Sequence, residues 1–233
     1  MNSQWVDIDA ADGGRFGAYV SPPPVGKGPG ILLIQEIFGV NGHIRAVADQ
    51  YALDGCVVLA PDLFWRLEPR LDIGYSPPEM ERGMGLAKRF DFPRGLDDLA
   101  ATVAALRARP ECNGKVAAIG YCMGGTLSFL CAAKVGVDAA VCYYPGGIDR
   151  QLEQAASVEC PLLVHFAGND KSIGPAAVEA VQKAFAGRAN AAIHVYPGAA
   201  HGFNCWARAA YNQPAALLAH ARTLEFLAGA LAG

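Results

Sequence analysis

Gly120-Tyr121-Cys122-Met123-Gly124 stands between an apolar run ending at Ile119 and a second apolar stretch from Gly125 to Val135. That succession reads as strand, tight turn, helix. The flanking glycines let strand and helix come close enough to hold the central side chain on a sharp bend above a parallel sheet. A joint of this kind needs further parallel strands around it, and the chain supplies them. Apolar runs of strand length recur at Ile31 to Ile34, Val57 to Ala60, Val116 to Ile119, Ala139 to Tyr143, Leu162 to Ala167 and Ala192 to Val195. Between them, Ile44 to Leu53, Leu96 to Leu106, Thr126 to Lys134, Ala176 to Phe185 and Ala215 to Leu231 repeat apolar residues at helical spacing. Alternating β and α predicts an α/β fold: a mostly parallel sheet covered by helices on both faces. Ahead of it, Trp5 to Asp9 and Arg15 to Val20 flank Ala11-Asp12-Gly13-Gly14, the signature of an N-terminal antiparallel hairpin.

With 233 residues, 52% hydrophobic and 18% charged, the chain can bury a large core and is expected to form a single domain over 1–233. A net charge of −3 provides no basic stripe for nucleic acid or anionic lipid. No run approaches the ~18 apolar residues of a membrane helix, and the N-terminus lacks a basic segment followed by an apolar one. A cytoplasmic protein without nucleic-acid or membrane partners is the expectation. The seven cysteines are an odd count, and Cys56, Cys131 and Cys142 sit inside apolar runs as small core residues would. No C-x-x-C pair is present, and His201 with Cys205 lacks neighbouring ligands, so no metal is expected.

The stretch Phe64 to Phe92 shows no clear period, and its arginines and aromatics suggest an irregular excursion facing a substrate. The remaining polar landmarks have a definite order. Asp170 follows the strand Leu162 to Ala167, and His201 follows the strand Ala192 to Val195. Nucleophile, acid, histidine, each after a strand, is the order of an α/β-hydrolase triad. A free thiol is only a few per cent thiolate at neutral pH, and a helix N-terminus together with an imidazole would make Cys122 a ready nucleophile. Asp170 would hold the His201 tautomer and stabilise the imidazolium. An oxyanion hole in this fold takes one N–H from the residue after the nucleophile, here Met123, and one from the loop after an earlier strand. That loop is Gln35-Glu36-Ile37-Phe38-Gly39, making Ile37 the second donor and placing Glu36 at the mouth of the site.

These segments, with Ala60-Pro61-Asp62-Leu63, Tyr143-Tyr144, Gly168-Asn169-Asp170, His201-Gly202-Phe203 and Arg222 to Leu227, resemble the dienelactone hydrolase (carboxymethylenebutenolidase) family over nearly the whole chain. The resemblance implies an α/β-hydrolase fold, a Cys122, Asp170, His201 triad, and an oxyanion hole of Ile37 and Met123 amides. It implies that Glu36 is a gating carboxylate that restrains the thiol until substrate displaces it. It implies Tyr143 and Arg82 as substrate contacts and favours a monomer; Phe38 and Trp206 are expected to contact the substrate as well, and no cofactor is expected. Where the family carries His-Ser-Phe with an arginine shortly after, this chain has His201-Gly202-Phe203-Asn204-Cys205-Trp206-Ala207-Arg208. The second carboxylate-binding arginine is displaced or absent, and Cys205 and Trp206 are expected near the entrance.

The expected activity is opening of a small lactone or enol ester, dienelactone-like with a maleylacetate-type product, through an acyl-thioester on Cys122. A broad carboxylesterase or thioesterase on the same triad is the alternative. A non-hydrolytic ligand-binding or thiol redox-sensing protein is a second one.

Overall fold

The computed structural model describes residues 2–232. Its eight strands form a mostly parallel sheet, and the chain groups into two compact units, one up to Ala117 and one from Ala118.

The first unit opens with the hairpin β1 (Gln4–Asp9) and β2 (Arg15–Ser21), antiparallel with Gln4 opposite Val20 and Asp9 opposite Arg15. Gly13 takes φ of 86° in the turn, a conformation that favours glycine. Strand β2 pairs antiparallel with β4 (Val57–Pro61), which pairs parallel with β3 (Gly28–Ile34), giving the order β1-β2-β4-β3. Both β3 and β4 are buried almost throughout, which explains their unbroken apolar runs. Helix α1 (Gly42–Leu53) starts where the Asn41 side chain accepts the Ile44 N–H at 3.2 Å, and it packs on β4.

The excursion is more ordered than the sequence suggests. It contains a helix, α2 (Pro77–Arg89), followed by α3 (Phe92–Arg107), which packs on β3 and β4. Pro77-Pro78 looks like a breaker, but the two prolines occupy the first turn, where the missing N–H costs nothing. Glu79 reaches back to accept the N–H groups of Ser76 at 3.0 Å and Gly74 at 2.8 Å. The period is hard to see because α2 buries only Gly83 and Leu86. Upstream, Trp65 donates its indole N–H to Asp98 at 2.9 Å, and Arg66 bridges Asp98 and Asp12. These contacts tie the excursion to α3 and to the hairpin turn.

Strand β5 (Cys112–Tyr121) leads into the second unit. There α4 (Met123–Lys134), β6 (Ala139–Tyr143), β7 (Leu162–Ala167), α5 (Pro175–Ala184), β8 (Ala191–Tyr196) and α6 (Gln213–Ala230) follow in turn. A 3-10 helix, Ile148–Ser157, lies between β6 and β7 and was not foreshadowed by any period. Strands β6, β7 and β8 pair parallel, with Tyr143 opposite His165 and His165 opposite His194. Helix α4 shows no amphipathic face because Met123 to Ala132 are all buried. Its Leu127, Phe129 and Leu130 are at most 2% exposed, each contributing ~1.5–3 kcal/mol by burial.

Candidate active site

Cys122 sits between β5 and α4 at φ 56° and ψ −116°, a left-handed conformation costing a non-glycine residue on the order of 1–3 kcal/mol. The surroundings over-determine it. The Cys122 N–H donates to the Tyr143 carbonyl at 3.0 Å, and the Cys122 carbonyl accepts N–H bonds from Gly125 at 3.0 Å and from Thr126 and Gly146 at 3.3 Å. A Cβ on Gly120 would lie 1.9 Å from the Gly124 oxygen, and one on Gly125 would lie 2.7 Å from the Tyr143 oxygen. Glycine is therefore required at both places for the bend to close. Met123 is the first residue of α4, a position whose N–H has no acceptor within its own helix.

Asp170 and His201 emerge from the ends of β7 and β8. The Asp170 Oδ1 accepts the N–H groups of Ser172 at 2.7 Å and Ile173 at 3.0 Å, while Oδ2 accepts His201 Nδ1–H at 2.7 Å. The carboxylate side chain has no exposed surface, and the imidazole is 17% exposed. Burial would raise the Asp170 pKa, but the His201 hydrogen bond and the two amides outweigh it and hold the group below the usual carboxylate value. For His201, burial acts to lower the pKa. Hydrogen bonds to Asp170 and Cys122, with their charges, overcome it and raise the imidazolium to about 10. Asp170 thus holds Nδ1 of His201, and Cys122 is among the groups that raise the imidazolium.

Tyr144, adjacent to the expected contact Tyr143, lies beside the histidine. Its ring meets the His201 ring edge-on at 5.1 Å, and it takes φ of 35°. An aromatic in a Tyr-Tyr pair gives no hint in sequence of which ring faces the histidine. Tyr143 is fully buried, and its hydroxyl pairs with Thr223 Oγ1 at 2.7 Å. Trp206 is 46% exposed, whereas Cys205 is fully buried. Arg208 folds back onto the histidine turn. A Cβ on Gly202, which has φ 83°, would lie 2.5 Å from Arg208 Nη1.

In the first unit, Glu36 is buried at 2% exposure and Ile37 is half-buried. Phe38 packs edge-on against Tyr75 at 4.7 Å between ring centroids. The backbone of this loop is gripped by the segment after it: Ile73 N–H donates to the Phe38 carbonyl at 3.3 Å, and Gly39 approaches the Leu71 carbonyl so closely that a Cβ would be 1.8 Å from it. Arg82 forms an ion pair with Glu68 on the surface.

The other thiols contrast with Cys122. Cys56, Cys131 and Cys142 are buried, and burial pushes all three upward, Cys56 to about 12. None of the seven cysteines is in a disulfide. Among the described residues no group of His, Cys, Asp or Glu is arranged to hold a metal, and no helix is long and apolar enough to cross a membrane.

Comparison with known proteins shows the family. The model of the dienelactone hydrolase family matches residues 16–231. A carboxymethylenebutenolidase of Pseudomonas sp. strain P51 is 37% identical over 228 residues, covering 97% of this chain and 95% of that protein. Carboxymethylenebutenolidase 1 of Cupriavidus pinatubonensis is 34% identical over 229 residues, covering 98% and 97%. Among solved structures, a Klebsiella pneumoniae chain assigned as a dienelactone hydrolase superposes with a TM-score of 0.85 at 27% identity, covering 98% of this chain and 99% of its own. With its α/β-hydrolase fold and a match running nearly end to end, this chain belongs to the dienelactone hydrolase family of ester-cleaving hydrolases.

Proposed function

We propose that the chain opens a small lactone or enol ester, such as a dienelactone, through an acyl-thioester on Cys122. The observation that carries this reading is the strained Cys122 bend, with Cys122 among the groups that raise the His201 imidazolium and Asp170 behind His201 at 2.7 Å. In the reading, the Cys122 thiolate adds to the substrate carbonyl and the amides of Met123 and Ile37 stabilise the oxyanion. The C–O bond breaks, the enolate leaves, and the acyl group stays on sulfur. Acylation removes the negative charge that helps keep His201 protonated, so the imidazolium can release its proton to the departing oxygen. Neutral His201 then takes a proton from water, hydroxide attacks the thioester, and the acid is released with the thiol restored. An activated ester suits this chemistry, because thiolate is a better leaving group than an amide nitrogen and would be expelled before it. Glu36 acts as the gating carboxylate, and Arg82, Phe38 and Trp206 contact the substrate.

The test is hydrolysis of dienelactone and p-nitrophenyl acetate by Cys122→Ala. Activity should be abolished with an unchanged circular dichroism spectrum; retained turnover would sink the proposal. A panel pairing carboxylated lactones with neutral esters separates the lactonase from a broad esterase. Arg82→Ala should raise KM for the charged lactone much more than for a neutral ester, and equal effects would remove Arg82 from substrate binding.

A further inference from the structure

The second unit holds a buried histidine for which the hydrolytic mechanism has no use. His165, in the middle of β7, has no exposed surface, and both its ring nitrogens are engaged: Nδ1 with the Tyr196 hydroxyl at 2.8 Å and Nε2 with Thr223 Oγ1 at 3.0 Å. Thr223, on α6 and also without exposure, meets the Tyr143 hydroxyl at 2.7 Å. The four side chains come from three neighbouring strands and the helix over them. Tyr143 is the last residue of β6, and Tyr196 is the last of β8.

Each of those strands delivers one part of the proposed machinery. The Tyr143 carbonyl accepts the Cys122 N–H, β7 runs on to Asp170, and β8 runs on to His201. The Tyr196 carbonyl also accepts the N–H groups of Gly168 at 2.8 Å and Ala199 at 3.2 Å, joining the two loops that carry the acid and the histidine. From these contacts we infer that Thr223 and His165 are positioning residues: they cross-tie the ends of β6, β7 and β8, and so set the mutual placement of Cys122, Asp170 and His201. This inference rests on the proposed triad.

Arg222 flanks the network, its guanidinium carbon 5.4 Å from the Tyr196 ring centroid. His165 is neutral, because burial first, then the facing His194 and Arg222, hold its pKa well below the usual histidine value. A neutral ring carries one N–H and one acceptor nitrogen, so of its two contacts with Tyr196 and Thr223 one donates and the other accepts. Removing the Thr223 hydroxyl takes away the one group that meets both His165 Nε2 and the Tyr143 hydroxyl, and with it the tie between β6, β7 and α6.

Thr223→Val keeps the side-chain volume and removes the hydroxyl, while Thr223→Ser keeps the hydroxyl and removes a methyl. Thr223→Val should lower kcat for p-nitrophenyl acetate about tenfold with KM changed less than twofold, as small misplacements of reacting groups do. It should also displace the pH midpoint of Cys122 alkylation by iodoacetamide, a reading independent of turnover. Thr223→Ser should restore both to within twofold of the parent. Tyr196→Phe, which breaks the other end, should act in the same direction and serves if Thr223→Val does not fold. A folded Thr223→Val, or failing it Tyr196→Phe, with parental kcat and alkylation profile would overturn the inference, even if its melting temperature fell. Turnover surviving in Cys122→Ala would instead refute the triad itself.

Discussion

The residue scale is where burial and hydrogen bonding decide what each side chain can do. His201 carries opposing influences, and its hydrogen bonds win over desolvation, raising it to about 10. Such a group contributes stability in full below its unfolded pKa of about 6.5, and loses it as pH climbs through about 10. Asp170→Asn removes the partner that raises it, so the alkaline limb of the pH–rate profile should move to lower pH and kcat should fall on the order of 10³-fold. A limb unmoved by the substitution would show that Asp170 does not govern the imidazolium. Asp170 itself has the reverse sign. Its depressed pKa stabilises the fold above the ordinary carboxylate value, and that contribution disappears as pH drops through the lowered one. Gly120→Ala should destabilise by roughly 2 kcal/mol or more, because its Cβ meets backbone at 1.9 Å and not a movable side chain. Urea titration measures this.

At the scale of elements, α2 shows why glycine spacing in sequence misleads. Gly83 and Gly85 both sit inside the helix, where glycine costs ~1 kcal/mol relative to alanine. Only Gly83 has a structural reason among its neighbours: a Cβ there would lie 2.6 Å from the Ile37 carbonyl, whereas nothing lies within 4 Å of one on Gly85. Gly85→Ala should therefore stabilise the protein by up to ~1 kcal/mol. Gly83→Ala should cancel that gain or reverse it by pushing the Ile37 loop, and equal stabilisation by both in thermal melts would disprove the close approach. The helix was illegible in sequence because it buries so little and begins with two prolines. For helix α6, by contrast, the apolar spacing predicts Ala215 to Leu231, and the helix spans Gln213–Ala230. Asn212 caps it, accepting the Ala215 N–H at 3.2 Å.

For the whole molecule, the distribution of thiols gives a measurable signature. Cys122 and Cys160 are half-buried, and the other five are buried. Under native conditions a thiol reagent should label a small subset rapidly, with all seven reacting after denaturation. Cys122→Ala should delete the fastest phase; an unchanged fast phase would place the reactive thiol elsewhere. The sequence alone determined the alternation of strands and helices, because strands buried on both faces must be continuously apolar and the segments covering them must repeat at helical spacing. It also determined the Gly-x-Cys-x-Gly joint and the chain order of Cys122, Asp170 and His201, since these depend on local turns following strands. Only tertiary structure decided which ring faces His201, that Tyr143 turns its hydroxyl to Thr223, and that Cys205 is buried while Trp206 is exposed. Those outcomes depend on contacts between side chains as much as 80 positions apart, which no local periodicity encodes.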